Sequence, residues 1–394
     1  MELNKKFKII HIITQFALGG ATENTLITVS KLRRKKFSPL VVSGKEPYKE
    51  GDLLDYVKSI DVPFFINKNL KRSINPIRDL FCLFSLSKFI RIQKGTIVHT
   101  HSSKAGIIGR WAGYLAGCRL LIHTVHGWSF HQYMVWWKRY LFVFLERFTA
   151  RFTSKLICVT NQDVKKGLQN RIGTKEQYMV IRSGFDIQKF DRHFCNIELV
   201  KRRFNLPLNK KIVGSVGRLS YQKDPKTFVR SAYIVTQERD DVIFVYVGDG
   251  KLRDEIERMI ENLGLKKSVY LLGFQKDIEK IFPIFDIFIL TSLWEGLPKV
   301  IPQAMASEVP VVATSVDGVR EIIQHDINGL LSPPGDFKSL AKNVLVLLND
   351  NVIRKRFVQN SLKKVKEFDE KLMVKTISEL YEKEINRYYK GYIN

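Results

Sequence analysis

Short apolar runs alternate with helix-like segments along most of the chain. Six runs of strand length occur in the first half, namely "FKIIHIIT", "SPLVVSG", "GTIVHTH", "RLLIHTVH", "SKLICVT" and "YMVIRSGF". Continuous apolar runs of this length are typical of parallel strands that are buried on both faces. Their alternation with helical patterns predicts a Rossmann-like α/β domain.

The same pattern starts again after residue 210. Its runs are "KIVGSVGRLS", "VIFVYVGDG", "SVYLLGF", "IFDIFILTS", "VPVVATS" and "GLLSPPGD", and the chain beyond them is rich in Lys, Glu and Leu. We predict an N-terminal domain (1–191), a linker (192–209), a second Rossmann-like domain (210–370) and a helical tail (371–394) that could return to the first domain. Two such domains would face each other across a cleft lined by the carboxyl ends of their strands, where α/β sheets bind ligands.

Cysteine usage and hydropathy limit the class of protein. The four cysteines are scattered without a CxxC pair, which favours a reducing compartment and no structural zinc. Apolar windows fall short of the roughly 20 residues that a membrane-spanning helix needs. We interpret the protein as cytoplasmic, with its charged N-terminus leading into the first strand rather than into a signal peptide.

Charge adds a preference for anionic partners. The formal net charge is +26, and residues 1–200 hold 33 basic against 14 acidic residues. The remaining 194 residues hold 32 basic and 25 acidic residues, so the excess lies mainly in the N-terminal half. An anionic membrane leaflet or a nucleic acid would suit this asymmetry, although solvated basic faces without a specific partner explain it equally well.

Candidate ligand groups follow two strands of the second domain. "VGRLSYQKD" places Arg218 and Lys223 after a strand, where a guanidinium and an ammonium could both reach a diphosphate. "LWEGLPKV" places Glu295 after the apolar run "IFDIFILTS", and the Gly296 turn precedes a helix start, which favours an anion. For Arg218 and Lys223, two surface cations without a ligand are the competing interpretation.

Glycine patterns give weaker signals. Gly19 and Gly20 follow the first strand and permit close approach of a ligand, although a tight turn would also explain them. Gly248 belongs to a partial G-x-G-x-x-G pattern, which is a weak signal for dinucleotide binding.

Three histidines lie close together in "LIHTVHGWSFH". Strand alternation predicts that His123 is packed inside, whereas His126 falls at the end of the strand and could bind or polarise a substrate. The spacing of these two with His131 matches no common set of metal ligands, and the chain has no D-x-D pair. We therefore expect no metal site and no cofactor.

An aromatic segment from Trp128 to Phe152 is interleaved with basic residues and one acid. This composition is typical of a segment at a lipid headgroup interface, and its contact candidates are Trp128, Trp136, Trp137, Lys138 and Arg139. The helical pattern of "PIRDLFCLFSLSKFIRIQK" allows a second interfacial helix. Its apolar spacing is that of an ordinary core helix, which we favour.

The motif series "VGRLSYQKD", "YVGDGKLRDEIE", "LLGFQKDIEKIF", "TSLWEGLPKVIPQAMASEVPVVATSVDGVREII" and "NGLLSPPGD" resembles the C-terminal domain of the large retaining glycosyltransferase family with the GT-B fold. The N-terminal "THSSKAGIIGRWAGYLAG" and "HTVHGWSFH" resemble members that build bacterial capsule, O-antigen or exopolysaccharide. The resemblance implies transfer of a sugar from a nucleotide diphosphate, with retained configuration and no obligatory metal. A UDP-sugar is the expected donor, and a lipid-linked or growing oligosaccharide is the expected acceptor.

The resemblance also implies roles for individual residues. Arg218 and Lys223 would hold the diphosphate and stabilise it as the leaving group, Glu295 would bind hydroxyls of the donor sugar, and His126 would approach the sugar or acceptor. Donor-binding residues would be Gly19, Gly20, Gly248, Phe274, Gly296, Leu297 and Gln303. The family usually has a second glutamate at the position of Gln303, where it holds the ribose. Ser183 is a second departure, because many relatives have asparagine there.

Other functions remain open at this point. A GT-B epimerase or hydrolase would also bind a nucleotide sugar, and a catalytically inactive binding protein is suggested by Gln303. Nucleic-acid binding ranks lowest, since the aromatic residues cluster in an apolar segment rather than on a recognisable RNA-binding sheet. The expected partners are therefore a nucleotide sugar, its acceptor and an anionic membrane surface at the inner face of the cytoplasmic membrane.

Overall fold

The computed structural model describes residues 6–17, 19–45, 54–59, 62–130 and 134–390. The chain divides into two compact units, the first formed by residues 1–185 with 370–394 and the second by residues 186–369. The division thus falls at residue 186, and the predicted linker (192–209) lies inside the second unit, where it contains a short helix.

The first unit is a doubly wound α/β domain. Its elements in chain order are β1 (Phe7–Gln15), α1 (Gly20–Lys31), β2 (Phe37–Gly44), α2 (Leu54–Ser59), β3 (Phe64–Asn67), α3 (Pro76–Gln93), β4 (Ile97–His101), α4 (Ser103–Leu115), β5 (Leu120–Val125), α5 (Trp136–Ala150), β6 (Lys155–Cys158), α6 (Asn161–Gln169) and β7 (Tyr178–Val180). All strands are parallel, in the order β3-β2-β1-β4-β5-β6-β7. The six predicted runs are all strands, and the sequence pattern missed β3.

The second unit repeats this design with six parallel strands. Its elements are α7 (Ile197–Arg203), β8 (Lys211–Val216), α8 (Pro225–Glu238), β9 (Val242–Val247), α9 (Arg253–Asn262), β10 (Val269–Leu271), β11 (Ile287–Leu290), α10 (Val300–Ala306), β12 (Val311–Thr314), α11 (Val319–Ile322), β13 (Leu330–Ser332), α12 (Phe337–Asn349) and α13 (Asn351–Lys364). The strand order is β10-β9-β8-β11-β12-β13. Each of the six predicted runs contains one of these strands.

The last helix, α14 (Glu370–Lys390), belongs to the first unit. Its apolar face joins a buried cluster that also contains residues of β1, β4 and β5. The members from α14 are Met373, Val374, Ile377, Leu380, Tyr381 and Ile385. The helix therefore covers one face of the first sheet and completes the core there.

On the other face of this sheet, helix α4 lies unusually close to the strands. A Cβ added to Gly113 would come within 2.6 Å of Leu121, and one added to Gly106 within 2.5 Å of the His123 ring. Only glycine at these positions lets the helix backbone approach so closely. Arg110, on the same helix, is fully buried and its guanidinium lies 2.7 Å from the Glu146 carboxylate of α5.

Candidate functional sites

Both sheets have a point at which the strand order reverses. In the second unit it lies between β8 and β11, because the chain runs outward through β9 and β10 and then crosses back to β11. Loops leaving neighbouring strands at such a point diverge and leave space for a ligand. Lys223 follows β8 and Glu295 follows β11, so both residues lie at this point.

A charged pair is the central feature of this site. The Lys223 ammonium lies 2.5 Å from Oε1 of Glu295, and the two side chains are 16% and 8% exposed. The Ser292 hydroxyl donates to the same carboxylate oxygen at 2.6 Å. The carboxylate is thus fixed by two partners, while the ammonium uses one of its three N–H donors and keeps others for a ligand.

Hydrogen bonds between the two loops hold this pair in place. The Thr291 hydroxyl donates to the carbonyl of Lys223 at 2.7 Å, and the side-chain amide of Gln222 donates to the carbonyl of Trp294 at 2.9 Å. The buried Tyr246 hydroxyl donates to the carbonyl of Arg218 at 3.3 Å. Burial and, next, the negative charge of Glu295 raise the pKa of Tyr246, which keeps this phenol protonated.

Gly248 has a structural reason to be glycine. Its φ is +135°, and a Cβ there would lie 1.9 Å from the carbonyl oxygen of Gly217. Its N–H donates to Gly273 at 2.8 Å, next to Phe274, which is 43% exposed. The position therefore fixes the loop after β9, and a direct ligand contact by Gly248 stays a prediction.

The remaining candidates of this unit lie on the segments that follow β8 and β11. The backbone amides of Gly296 and Leu297 donate to no acceptor within the described residues, and the Arg218 side chain is exposed. Gln303 lies in α10 and is buried, and its side-chain amide makes no hydrogen bond to another described residue. These groups have unused hydrogen-bonding capacity, as a ligand site requires.

The first unit has its reversal point between β1 and β4. Gly19 and Gly20 follow β1 and begin α1, and the Thr14 hydroxyl lies 2.7 Å from that of Ser102, the residue after β4. The two predicted glycines therefore lie at this point of their own sheet.

His126 comes directly after β5, as the sequence predicts. Its Nε2 lies 3.4 Å from Nδ1 of His101, a buried residue at the end of β4. His123 is buried against α4, and its Nδ1 lies 2.9 Å from the Thr100 hydroxyl. His131 lies outside the described residues.

Sequence analysis missed a second group of histidines. His11, His99 and His101 are buried on β1 and β4, and one nitrogen from each lies within 4.8 Å of those of the others. The signal was present in "IIHII" and "VHTH", where histidines take the place of apolar residues in buried strands. Burial lowers the pKa of His11 to about 3 and those of His99 and His101 well below the ordinary value, so all three rings are neutral at physiological pH.

Helix α5 presents large aromatic side chains to solvent. Trp136 is 78% exposed, and Trp137, Tyr140 and Phe144 are exposed as well. Lys138 and Arg139 lie among them, with the Lys138 ammonium 5.3 Å from the centre of the Trp137 ring. The predicted interfacial segment therefore has an exposed face that combines aromatic and basic groups.

Two expectations about this surface are wrong. Trp128 is packed on a buried cluster and its indole N–H donates to the carbonyl of Asp163 at 2.7 Å, so it is not part of the exposed face. Helix α3 packs on the core through Cys82, Leu86 and Ile90, but it is not an ordinary core helix, because most of its large apolar residues are exposed. The exposed ones include Ile77, Leu80, Phe81 and Phe84. Within the described residues, the structure has no helix with the length and apolar content needed to cross a bilayer.

The fold and the charged pair at a strand-order reversal define a two-domain α/β protein with a candidate ligand site in its second unit. Comparisons with known proteins give the family. The model described as "Glycosyl transferases group 1" matches residues 196–364, and that described as "Glycosyltransferase Family 4" matches residues 18–189. The chain therefore belongs to the GT-B glycosyltransferase family.

Relatives and solved structures agree with this assignment. The chain is 32% identical to the Escherichia coli UDP-Gal:alpha-D-GlcNAc-diphosphoundecaprenol alpha-1,3-galactosyltransferase, over 92% of this chain and 93% of that protein. It is 23% identical to the Staphylococcus aureus capsular polysaccharide biosynthesis glycosyltransferase CapM, over 96% and 97%. A crystal structure of Anabaena HepE in complex with UDP matches the fold with a TM-score of 0.80, at 23% identity over 96% and 100% of the two chains.

Proposed function

We propose that this glycosyltransferase moves a sugar from a UDP-sugar to a lipid-linked acceptor, with retention of the anomeric configuration, in the synthesis of a bacterial surface polysaccharide. The observation that carries the proposal is the Lys223 and Glu295 pair at the strand-order reversal of the second unit. Donor and acceptor classes follow those named for the galactosyltransferase relative, which takes UDP-Gal and a sugar on diphosphoundecaprenol.

In this proposal the second unit binds the donor. Lys223 and Arg218 hold the diphosphate, where negative charge grows on the β-phosphate as the glycosidic bond breaks. Glu295 accepts hydrogen bonds from hydroxyls of the sugar, while Ser292 keeps its carboxylate in place. The amides of Gly296 and Leu297 bind phosphate oxygens, Phe274 and Gly248 border the nucleotide, and Gln303 holds the ribose.

The first unit supplies the acceptor side. His126 binds the sugar or the acceptor, and Gly19 with Gly20 permit close approach of a ligand to the backbone at the strand-order reversal of this unit. The reaction needs no metal, because Lys223, Arg218 and the loop amides supply the positive charge and donors that the leaving group requires.

Membrane association is also part of the proposal. The exposed aromatic and basic face of α5 suits the headgroup region of an anionic leaflet, and the exposed apolar residues of α3 extend the case for it. We propose that the enzyme works at the inner face of the cytoplasmic membrane, where a lipid-linked acceptor would be found.

A panel of nucleotide sugars tests the donor. Thermal unfolding should shift upward with the true donor, since a ligand that binds only the folded state stabilises it. Purified undecaprenyl-diphosphate-linked sugar is then added with that donor, and UDP release and product are measured. UDP release that depends on the acceptor, with a product of unchanged anomeric configuration by NMR, is expected.

Other results would contradict the proposal. UDP release at the same rate without acceptor indicates a hydrolase, and conversion of the nucleotide sugar without UDP release indicates an epimerase. A product of inverted configuration contradicts retention. Loss of activity with EDTA and its recovery only with a divalent ion contradicts the metal-free reaction.

A further inference from the structure

The histidines of the first unit form a line across the sheet. His11 on β1 is in register with His99 on β4, and His101 follows two residues later on the same face of β4. On β5, Thr124 is in register with His101, and His126 comes after the end of the strand. The line therefore runs from the middle of the sheet to its carboxyl edge.

Each of these groups lies within hydrogen-bond distance of the next. The Tyr381 hydroxyl of α14 lies 2.5 Å from Nδ1 of His99 and 3.5 Å from Nε2 of His11. His11 Nδ1 lies 3.0 Å from His101 Nε2. His101 Nδ1 lies 3.4 Å from His126 Nε2.

At the other end, Nε2 of His99 lies 2.7 Å from the Thr124 hydroxyl. Each of the three buried rings therefore uses both of its nitrogens within the line. We call this set the histidine relay; its members are Thr124, His99, Tyr381, His11, His101 and His126.

A neutral imidazole has one donor and one acceptor nitrogen, so the tautomer of each ring fixes that of the next. The three buried rings are neutral because burial lowers their pKa values. When His126 is neutral as well, only two proton arrangements satisfy all of these bonds. In one arrangement each of the four rings carries its proton on Nε2, and in the other each carries it on Nδ1.

The distances favour the first arrangement. O–H donors make shorter hydrogen bonds than N–H donors do. At 2.5 Å from Nδ1 of His99, the Tyr381 hydroxyl is therefore the donor, and its oxygen accepts from Nε2 of His11. It follows that Nε2 of His101 donates to His11, and Nε2 of His126 donates to His101.

We propose that the histidine relay is a positioning device that holds His126 as the Nε2–H tautomer and couples it to the C-terminal helix through Tyr381. The catalytic consequence rests on the proposed function, in which His126 binds the sugar or the acceptor. In this tautomer Nδ1 of His126 is an acceptor and not a donor. Tyr381, His11, His99 and His101 are then positioning residues.

A metal ion at His11, His99 and His101 is the competing use of these side chains. Zinc ligands at about 2.1 Å in tetrahedral geometry would place the nitrogens about 3.4 Å apart. The 3.0 Å separation of His11 and His101 is instead the usual length of a hydrogen bond, and the Tyr381 hydroxyl occupies one nitrogen of His99. The geometry therefore favours the relay.

Nitrogen NMR of the full chain labelled with ¹⁵N-histidine tests the tautomer directly. Long-range proton–nitrogen correlations distinguish the two ring nitrogens, and His126→Asn assigns the His126 signal by its loss. We expect a single Nε2–H tautomer for His126 at pH 7.5 in the absence of substrates. An Nδ1–H tautomer, or an even mixture, would overturn the proposal.

Tyr381→Phe tests the coupling, with Tyr178→Phe as its matched control. Tyr178 lies in the same unit and also donates one partly buried hydroxyl, to the carbonyl of Ile172, but it is outside the relay. Tyr381→Phe should give a mixed tautomer at His126 and lower kcat by about fivefold, with the donor KM changed less than twofold. The control should keep the tautomer and stay within about twofold of the parent kcat.

A second variant, Thr124→Val, interrupts the relay at its other end without changing the shape of the side chain. An unchanged His126 tautomer in Tyr381→Phe and Thr124→Val alike would refute the coupling. Bound zinc in stoichiometric amount in the purified chain, lost in His101→Gln, would show a metal site instead. If the tautomer behaves as expected but no sugar transfer is found, the relay stands and the proposed function fails.

Discussion

The two units share one architecture but place opposite chemistry at the same point of the fold. In the second unit, the strand-order reversal carries an ammonium and a carboxylate in contact, both largely buried. In the first unit it carries buried neutral histidines on β1 and β4. The outer surfaces differ too, since the first unit exposes aromatic residues on α5 and apolar residues on α3.

The contrast shows how one fold supports different tasks. A charged pair whose ammonium keeps unused N–H donors can accept an anionic ligand without giving up its existing partner. Uncharged rings that use both nitrogens internally bind nothing more, but they hold a neighbouring group in one state. In the proposed function, binding of the donor and orientation of the acceptor therefore belong to different units.

The largest effect is expected from the charged pair. Lys223→Ala and Glu295→Ala should each lower kcat by roughly 10²–10³-fold, because each removes a group that acts on the reacting sugar or the leaving diphosphate. Steady-state kinetics and thermal unfolding measure the two effects separately. Lys226→Ala is the matched control, since this lysine forms an exposed pair with Glu255 in the same unit. Equal turnover by mutant and parent would show that the pair is structural.

Lowering the pH should destabilise the first unit more than the second. A histidine whose pKa is lowered in the folded state stays neutral there, while the unfolded chain takes up a proton below about pH 6.5. Stability is therefore complete above that pH and falls as the pH decreases, by about 1.4 kcal/mol per pH unit for each such histidine, down to about pH 3 for His11.

Hydrogen exchange with mass spectrometry can locate this effect. Protection in the first unit should fall between pH 6.5 and 5 after correction for the intrinsic exchange rate, whereas the second unit should change little, because its His193 and His325 are exposed. Equal loss of protection in both units would contradict the assignment.

Membrane binding should depend on the first unit alone. The double variant Trp136→Ser with Trp137→Ser should weaken binding to vesicles containing anionic phospholipid by about tenfold, because two exposed indoles are lost. Replacing the exposed Tyr233 and Val352 of the second unit by serine is the control. Co-sedimentation at two salt concentrations measures both, and equal losses would refute a specific membrane face.

Gln303 should give the smallest effect. Gln303→Ala removes a buried hydrogen-bonding group and should weaken donor binding by roughly 1–2 kcal/mol with little change in kcat. Gln303→Glu should change donor affinity by at most about tenfold, since it keeps an acceptor and adds charge. A large drop in kcat for Gln303→Ala, at unchanged affinity, would mean that the residue acts in the reaction.

The sequence predicted the positions of the strands better than it predicted which strands and side chains are neighbours in space. Apolar runs located all strands except β3, whose apolar residues "FFI" are bordered by Pro63 and by the polar Asn67 and Lys68. The pairing of Lys223 with Glu295, 72 residues apart, depends on β8 lying next to β11. Local periodicity does not reveal the order of the strands in the sheet. For the same reason, the sequence did not predict that His11 and His99 lie side by side.

Helix α3 shows a different limit. A helix that packs on a core and a helix that faces a membrane have the same apolar spacing, so the pattern of Ile77, Leu80, Phe81 and Phe84 could not distinguish them. In the structure α3 packs on the core through Cys82, Leu86 and Ile90 instead, which leaves those four side chains exposed. The linker was misplaced because α7 and its flanking residues lack the apolar runs by which the domains were recognised.

The position of α14 has a consequence for synthesis on the ribosome. The second unit is one continuous stretch of chain and can fold as soon as residue 369 has emerged. The first unit is begun first but lacks one face of its core until Met373, Ile377 and Tyr381 are translated. Its apolar strands therefore remain partly exposed while the whole second unit is synthesised. Chaperones would be needed most during this interval.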